Sequence, residues 1–307
     1  MINILGKRYL FFGVSLMIII PGLILAAMGL PFSIDFTGGS YLEVRFESGN
    51  TPPHADVELL YNEYGIQDVQ IQSKEGGIIV ARSEFLDDEI RSGIESGLES
   101  RFNDEVTVLR FESVGPTVGR EVALRAGGAV AVAALAVVIY ITFAFRGIPH
   151  AFRYGICAII AMLHDVAVVI SLAAIGGRLF GWQIDALFLT ALLTVIGFSV
   201  QDKIVVFDRI RENTKVHKRL EFEKLVNHSI IQTLQRSINT QLMTVEFMLL
   251  ALALFGGVTL REFSVILLVG LLSGTYSSIF IAAPALVVWE NQEWKRWFGR
   301  KTEVPAS

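Results

Sequence analysis

Runs of apolar residues long enough to cross a bilayer alternate with short polar connections, and one long polar stretch interrupts the series near its start. About 20 consecutive apolar residues span the hydrocarbon core as a helix. Six runs meet that length approximately: Tyr9–Leu30, Leu124–Phe145, Tyr154–Gly176, Ile184–Val206, Ile238–Phe255 and Phe263–Trp289. The last is long enough to tilt or to emerge before its end, and Pro284 is placed to kink it. The first follows Lys7 and Arg8 in the manner of a signal peptide, but it exceeds the roughly 7–15 apolar residues of a signal core. It reads as a retained anchor.

The polar stretch from Pro31 to Val122 has a different rhythm. Tyr41–Phe46 alternates apolar and polar positions, the period of a half-buried strand. Pro52-Pro53 opens a helical stretch that ends near Gly65. Val69 and Ile71 mark a second strand, Gly76-Gly77 a turn, and Ile78–Ala81 a third strand. Asp87, Asp88 and Glu89 suit a helix N-terminus, and Ile90, Ile94 and Leu98 then line one helix face. Val106–Phe111 is a fourth strand. The order β-α-β-β-α-β predicts a ferredoxin-like split. The expected architecture is an α-helical membrane protein of six transmembrane helices, with a small α+β domain between the first and second.

This pattern divides the chain into a first span (1–30), an α+β domain (31–122), a bundle of the remaining spans (123–289) and a tail (290–307). Between the fourth and fifth spans, Thr214–Arg236 is amphipathic, with Phe222, Leu225, Val226, Ile230 and Leu234 near one stripe, and predicts a linking helix. Lys7, Arg8, Arg146, Arg153, the segment from Arg209 to Arg236, and Lys295, Arg296, Arg300 and Lys301 all fall on one side of the membrane. The positive-inside rule makes that side cytoplasmic, with both termini there and the α+β domain outside.

Composition agrees with this reading: 52% of the residues are hydrophobic and the net charge is only −4. The lone Cys157 excludes a disulfide framework and any CxxC metal pattern. No Walker loop, HExxH, nucleophile elbow or dinucleotide fingerprint occurs in a suitable context. The chain is therefore not expected to be an enzyme, to carry a metal or organic cofactor, or to bind nucleic acid. Any work it does must draw on an ion gradient or a partner.

The candidate chemistry lies in charges within the apolar runs. Asp202 and Lys203 sit inside the fourth, before the polar sequence Asp208-Arg209-Ile-Arg211-Glu212. An ionised group at mid-bilayer costs about 2.5–3.5 kcal/mol on insertion scales, so such residues face partners and often mark ion paths. Asp202 reads either as a proton carrier, alternating between charged and neutral forms, or as one half of a static pair. Arg236, opening the fifth run from the same side, is either its switchable counter-ion or an interfacial anchor. His164-Asp165, in the middle of the third run, either extends a proton path or clamps two helices. Glu246 in the fifth run is a weaker candidate that could hydrogen-bond to His164. Asp208 and Arg209 anchor the end of the fourth span.

Several of these motifs carry a resemblance. Ile34-Asp35-Phe36-Thr37-Gly38-Gly39 follows the first span, and Val114-Gly115-Pro116-Thr117-Val118-Gly119 precedes the second. His164-Asp165 lies in the third, Gly197-Phe198-Ser199-Val200-Gln201-Asp202 and Val205-Val206-Phe207-Asp208-Arg209 in the fourth, and Arg236-Ser237-Ile238-Asn239-Thr240 at the fifth. In this order the chain resembles, over nearly its whole length, the SecF members of the SecD/SecF family of bacterial protein-export subunits, within the RND superfamily.

The resemblance implies a multi-pass protein of the bacterial plasma (inner) membrane that pairs with SecD. Together they would assist export of unfolded polypeptides through SecYEG, with YajC and YidC as further partners. Protons would be the coupling ion, driving steps after the ATPase SecA has acted. It implies proton conduction by Asp202 and Arg236, and a structural junction at Asp35, Gly38, Gly39, Gly115 and Pro116. The alternatives are an RND-type transporter of small solutes or lipids and a non-conducting scaffold of the translocase. Two positions depart from the family pattern: Lys203 stands where a small hydroxyl residue is usual, and Glu246 where an apolar one is. Lys203 could hold Asp202 ionised or pair with Glu246; the sequence leaves both open.

Overall fold

The computed structural model describes residues 3–146, 151–241 and 247–297. Cα packing separates two units, Phe32–Ala129 and the combination of Met1–Pro31 with Val130–Ser307.

The first unit contains α2 (Ile34–Thr37), β1 (Gly39–Phe46), α3 (His54–Glu63), β2 (Val69–Lys74), β3 (Ile78–Ser83), α4 (Asp88–Phe102) and β4 (Val106–Val114). The strands form one antiparallel sheet in the order β2-β3-β1-β4. Alternation along β1 buries Leu42, Val44 and Phe46 on one face. Leu42 pairs with Ala81 and Val44 with Ile79 across to β3. Val57, Leu60 and Tyr61 of α3 and Ile94 and Leu98 of α4 close over that face. The two periodicities thus meet in one core, where each large apolar side chain contributes about 1.5–3 kcal/mol by leaving water. α4 starts at Asp87, whose side chain accepts a hydrogen bond from the Ile90 amide at 2.8 Å. It stops at Asn103, in the left-handed conformation at φ 49°.

The opposite sheet face is polar. The Tyr41 ring lies beneath the guanidinium groups of Arg82 and Arg110, 5.7 and 5.2 Å from its centroid. Its hydroxyl donates to Glu43 at 2.9 Å, and Lys74 Nζ approaches the same carboxylate at 2.9 Å.

The second unit is helical, comprising α1 (Arg8–Ala27), α6 (Ala151–Phe180), α7 (Ala186–Val216), α8 (Phe222–Gln241), α9 (Phe247–Phe255), α10 (Val258–Ser277) and α11 (Ala283–Glu290); α5 (Pro116–Ala144) runs across the boundary between the units. Among the described residues, five helical stretches are long and apolar enough to cross a membrane: Leu5–Ala27, Pro116–Ala144, Ala151–Phe180, Ala186–Val216 and Leu260–Glu290. The fifth apolar run is described only in part, by the end of α8 and by α9, and Glu246 lies outside the described residues.

Several helices outrun their apolar segments. α7 continues past Val206 to Val216, supported by Arg211–Asp208 and Arg209–Glu212 ion pairs at 2.6 and 2.8 Å, each three residues apart. α8 buries Leu225, Val226 and Ile230 of the amphipathic stripe. Ahead of Pro284 the chain forms a π turn, Ser278–Ala282, and Pro284 occupies the first turn of α11. The wider turn accommodates a residue that has no amide hydrogen and crowds the carbonyl four positions earlier.

Helix contact depends on small residues. A Cβ at Gly270 would run into Val195 and Val169, and one at Gly274 would stand 3.3 Å from Ser199 Cα. This pair, four residues apart, brings α10 against α7, as small-residue faces do where no hydrophobic drive separates helix from lipid. The close approach positions everything that follows.

Candidate functional site

Asp165 occupies the face of α6 where α7 and α10 converge. Residues four apart share a helix face, and both neighbours use that spacing: Ser199 and Lys203 on α7, Ser273 and Ser277 on α10. All four side chains meet the Asp165 carboxylate. Oδ2 accepts from Ser199 Oγ at 2.6 Å, Lys203 Nζ at 2.8 Å and Ser277 Oγ at 2.7 Å. Oδ1 accepts from Ser273 Oγ at 2.7 Å and lies 3.0 Å from His164 Nδ1. Lys203 Nζ also donates to the Ser199 carbonyl at 3.1 Å and to its hydroxyl. The ion pair is closed off from solvent, with side-chain exposures of 0% for Lys203 and 1% for Asp165.

Asp202 precedes Lys203 on α7 and is also buried. Its Oδ2 accepts from Thr275 Oγ1 at 3.2 Å. α10 therefore serves both acids, offering Ser273 and Ser277 to Asp165 and the intervening Thr275 to Asp202.

His164 connects this cluster to an opening. Its ring stacks on Tyr276, 6.0 Å between centroids and 25° between planes. Tyr276 Oη donates to the Phe11 carbonyl at 3.0 Å and lies 3.3 Å from Ser15 Oγ. Ser15, His164, Ser273 and Tyr276 border a cleft of about 280 Å³ otherwise walled by apolar side chains of α1, α6 and α10. A polar thread thus runs from the cleft through His164 to Asp165 and Lys203.

Arg236 is on α8 and lines a second cleft, of about 420 Å³, with Asp208, Arg209, Glu212 and Gln232. Arg209 Nε donates to Gln232 Oε1 at 2.7 Å, tying α7 to α8. Among the described residues, no group of three or more His, Cys, Asp or Glu side chains could hold a metal ion.

The junction residues gather within the first unit. The Gly38 amide donates to the Ile34 carbonyl at 2.8 Å, closing α2. Gly38 and Gly39 have φ of 75° and 119°, which favour glycine. A Cβ at Gly38 would lie 2.8 Å from Pro116 Cα, and one at Gly39 would lie 2.6 Å from the Ser83 carbonyl oxygen. A Cβ at Gly119 would stand 2.5 Å from the Gly38 nitrogen. The motif around Asp35 and the motif around Gly115 therefore pack on each other.

The sequence offers Lys203 two partners, Asp202 and Glu246; the structure adds Asp165, with which Lys203 forms an ion pair, while Glu246 lies outside the described residues. Consecutive helix positions do not face one another, so the chain neighbour of Asp202 is aimed at a different helix. Sequence reasoning gives no role to Ser199, Ser273, Ser277, Thr275 or Tyr276. The available signal was hydroxyl residues recurring at helical spacing within apolar runs.

The comparisons with known proteins agree with this architecture. The family model "Protein export membrane protein SecD/SecF, C-terminal" matches residues 94–292, and the "SecD/SecF GG Motif" model matches residues 23–49. The protein translocase subunit SecF of Anaerolinea thermophila is 68% identical, covering 100% of both chains. That of Thermobaculum terrenum is 49% identical over 100% of this chain and 99% of its own. The crystal structure of the translocon-associated membrane protein SecDF from Thermus thermophilus superposes with a TM-score of 0.77 at 34% identity, covering 94% of this chain and 39% of that longer one. The chain belongs to the SecD/SecF family of protein export membrane proteins.

Proposed function

We propose that this chain is an accessory subunit of the Sec translocase that pairs with SecD and couples the proton-motive force to late steps of polypeptide export. The observation that carries the proposal is the buried acid Asp202, hydrogen-bonded by Thr275, one position from the Lys203–Asp165 pair in an apolar bundle. Charge held at that depth is costly unless it is matched or functional. Asp202 is the proton carrier in this reading, and Arg236 is its counter-ion in part of the cycle. No bond is made or broken by the chain; it acts as a transport component and not as an enzyme.

Pairing with SecD is supported by the Thermus protein, in which a counterpart of this chain makes up 39% of a longer fused SecDF. SecYEG is the channel served, with YajC and YidC as further neighbours. Completing the fifth apolar run gives a bundle of six spans, and the βαββαβ order with strand order 2-3-1-4 supports a ferredoxin-like outer domain. The distribution of Lys and Arg favours cytoplasmic termini in the inner membrane.

A scaffold reading draws on one observation, the many hydrogen bonds satisfying Asp165, which suit a static clamp. Polypeptide export by the reconstituted translocase, with the proton gradient intact or collapsed by an uncoupler, separates the two. The proton-coupled reading predicts that adding this chain and SecD accelerates export only while the gradient stands. Equal acceleration in both conditions would favour the scaffold.

A further inference from the structure

Arg8 stands where the sequence places a positive-inside anchor, yet its guanidinium is turned into the protein, with a side-chain exposure of 13%. Nε and Nη2 donate to the two carboxylate oxygens of Glu293 at 3.2 and 2.5 Å, a bidentate fork, and Nη1 donates to Glu223 at 3.0 Å. Tyr9 Oη donates to Glu293 as well. Glu293 follows α11, and the backbone there is strained to deliver it. Gln292 has a φ of 51°, in the left-handed region where glycine is the common helix stop. A strained non-glycine residue persists where its surroundings fix it, and here the fixing contact is the buried Glu293 carboxylate. One arginine thereby fastens α1, α8 and the end of α11.

Contacts with two other elements fix α8 along its length. Asn227, four residues after Glu223 and so on the same face, accepts from the Ile4 amide at 2.9 Å. Further along, Asn213 of α7 donates to Ser229 and to Gln232, each at 2.8 Å, and Arg209 donates to Gln232 at 2.7 Å. Arg236 lies beyond these contacts, at the edge of the cleft beside Asp208. α8 runs without a break from Phe222 to Gln241. It is a rod on which Glu223 and Arg236 stand about 20 Å apart, at 1.5 Å per residue, with Ser229 and Gln232 between them. A displacement at Glu223 is carried across that pivot to Arg236, in the opposite sense.

We infer that Arg8 is a positioning residue for Arg236, acting through α8. Its bonds to Glu223 and Glu293 hold one end of a lever, the α7 contacts form the pivot, and Arg236 rides on the far arm. The latch is geometric, since three nitrogens of one guanidinium serve two carboxylates at once. A lysine in this place keeps the charge but lacks the planar fork. A positive-inside anchor needs only the charge. The placement of Arg236 stands on these contacts alone; its consequence for export rests on the proton-coupled reading.

Distances between spin labels in the reconstituted complex with SecD test it. Labels at Thr190→Cys on α7 and Gln235→Cys on α8 report the far arm, and a control pair at Phe152→Cys and Thr190→Cys reports α6 against α7. All three positions are exposed, and the native Cys157 is buried. Arg8→Lys and Glu223→Gln should each shift and broaden the Thr190–Gln235 distribution and leave the control pair at its parental distance. A parental Thr190–Gln235 distribution in Arg8→Lys overturns the inference, because charge alone then suffices. Equal broadening of the control pair also overturns it, since the bundle has then loosened as a whole. If Arg8→Lys fails to accumulate, Glu223→Gln, which leaves Arg8 on Glu293, decides alone by the same two outcomes. Export with and without the gradient, measured on the same samples, is a separate readout. A displaced label with unimpaired gradient-dependent export retains the lever and removes Arg236 from the proton-coupled account.

Discussion

Lys203 Nζ lies 2.8 Å from Asp165 Oδ2, and neither side chain is more than 1% exposed. The pair joins α7 to α6, with serines from α7 and α10 filling the remaining positions around the carboxylate. A buried pair adds little net stability over an apolar replacement of the same shape, but removing one partner strands the other. Asp165→Asn and Lys203→Met should each destabilise the folded chain by about 3–5 kcal/mol, and the double variant should recover most of that loss. Denaturant unfolding in micelles measures all three. Additive losses in the double variant would mean that the pair is not an energetic unit.

Gly39 and Gly115 should respond very differently to the same methyl group. Gly39 has a φ of 119°, and an added Cβ would meet the Ser83 carbonyl oxygen at 2.6 Å. Gly115 has open space where its Cβ would go. Gly39→Ala should cost about 1–3 kcal/mol through backbone strain and loosen the β1–β3 ladder. Gly115→Ala should stay within about 0.5 kcal/mol of the parent. Amide hydrogen exchange along β1 and β3 in the full chain reports both. Equal protection in the two variants would contradict the strain argument.

Glu43 links the four-stranded sheet to pH. Burial acts to raise its pKa, but hydrogen bonds from Lys74 and Tyr41, with the Lys74 charge, outweigh that and hold it below the ordinary value of 4.5. A carboxylate depressed in the folded state contributes stability above its unfolded pKa, and that contribution disappears as pH falls through the folded value. The β1–β3 region should therefore lose protection as pH drops below about 4.5, the ordinary value, and Glu43→Gln should flatten that acid limb. Hydrogen exchange as a function of pH, corrected for intrinsic rates, measures the slope. An unchanged slope in Glu43→Gln would remove Glu43 from the account.

Much of the α+β unit was legible because its periods are simple. Leu42, Val44 and Phe46 alternate, Ile94 and Leu98 recur at helical spacing, and Asp87 stands where a cap must. The apolar runs announced the spans in the same way, while the helices run on past them: ion pairs carry α7 on to Val216 after the apolar signal has stopped. The candidate site was only half legible. Asp202, Lys203, His164 and Asp165 are conspicuous as charges in apolar sequence, but pairing depends on which helix each one faces. That was set by the approach of α10 to α7 at Gly270 and Gly274, a three-dimensional fact with only a weak linear trace. Ser199, Ser273 and Ser277 are ordinary residues in membrane helices until Asp165 is placed among them.

The proton-carrying role of Asp202 is the central claim, and one measurement meets it directly. Inverted membrane vesicles containing SecD and either the parent chain or Asp202→Asn are given a stalled, partly exported polypeptide, and its completion is followed with a proton gradient imposed. The account predicts gradient-dependent completion with the parent chain, and no acceleration with Asp202→Asn although the variant inserts and binds SecD normally. Completion at the parental rate by Asp202→Asn, with the same dependence on the gradient, would contradict it.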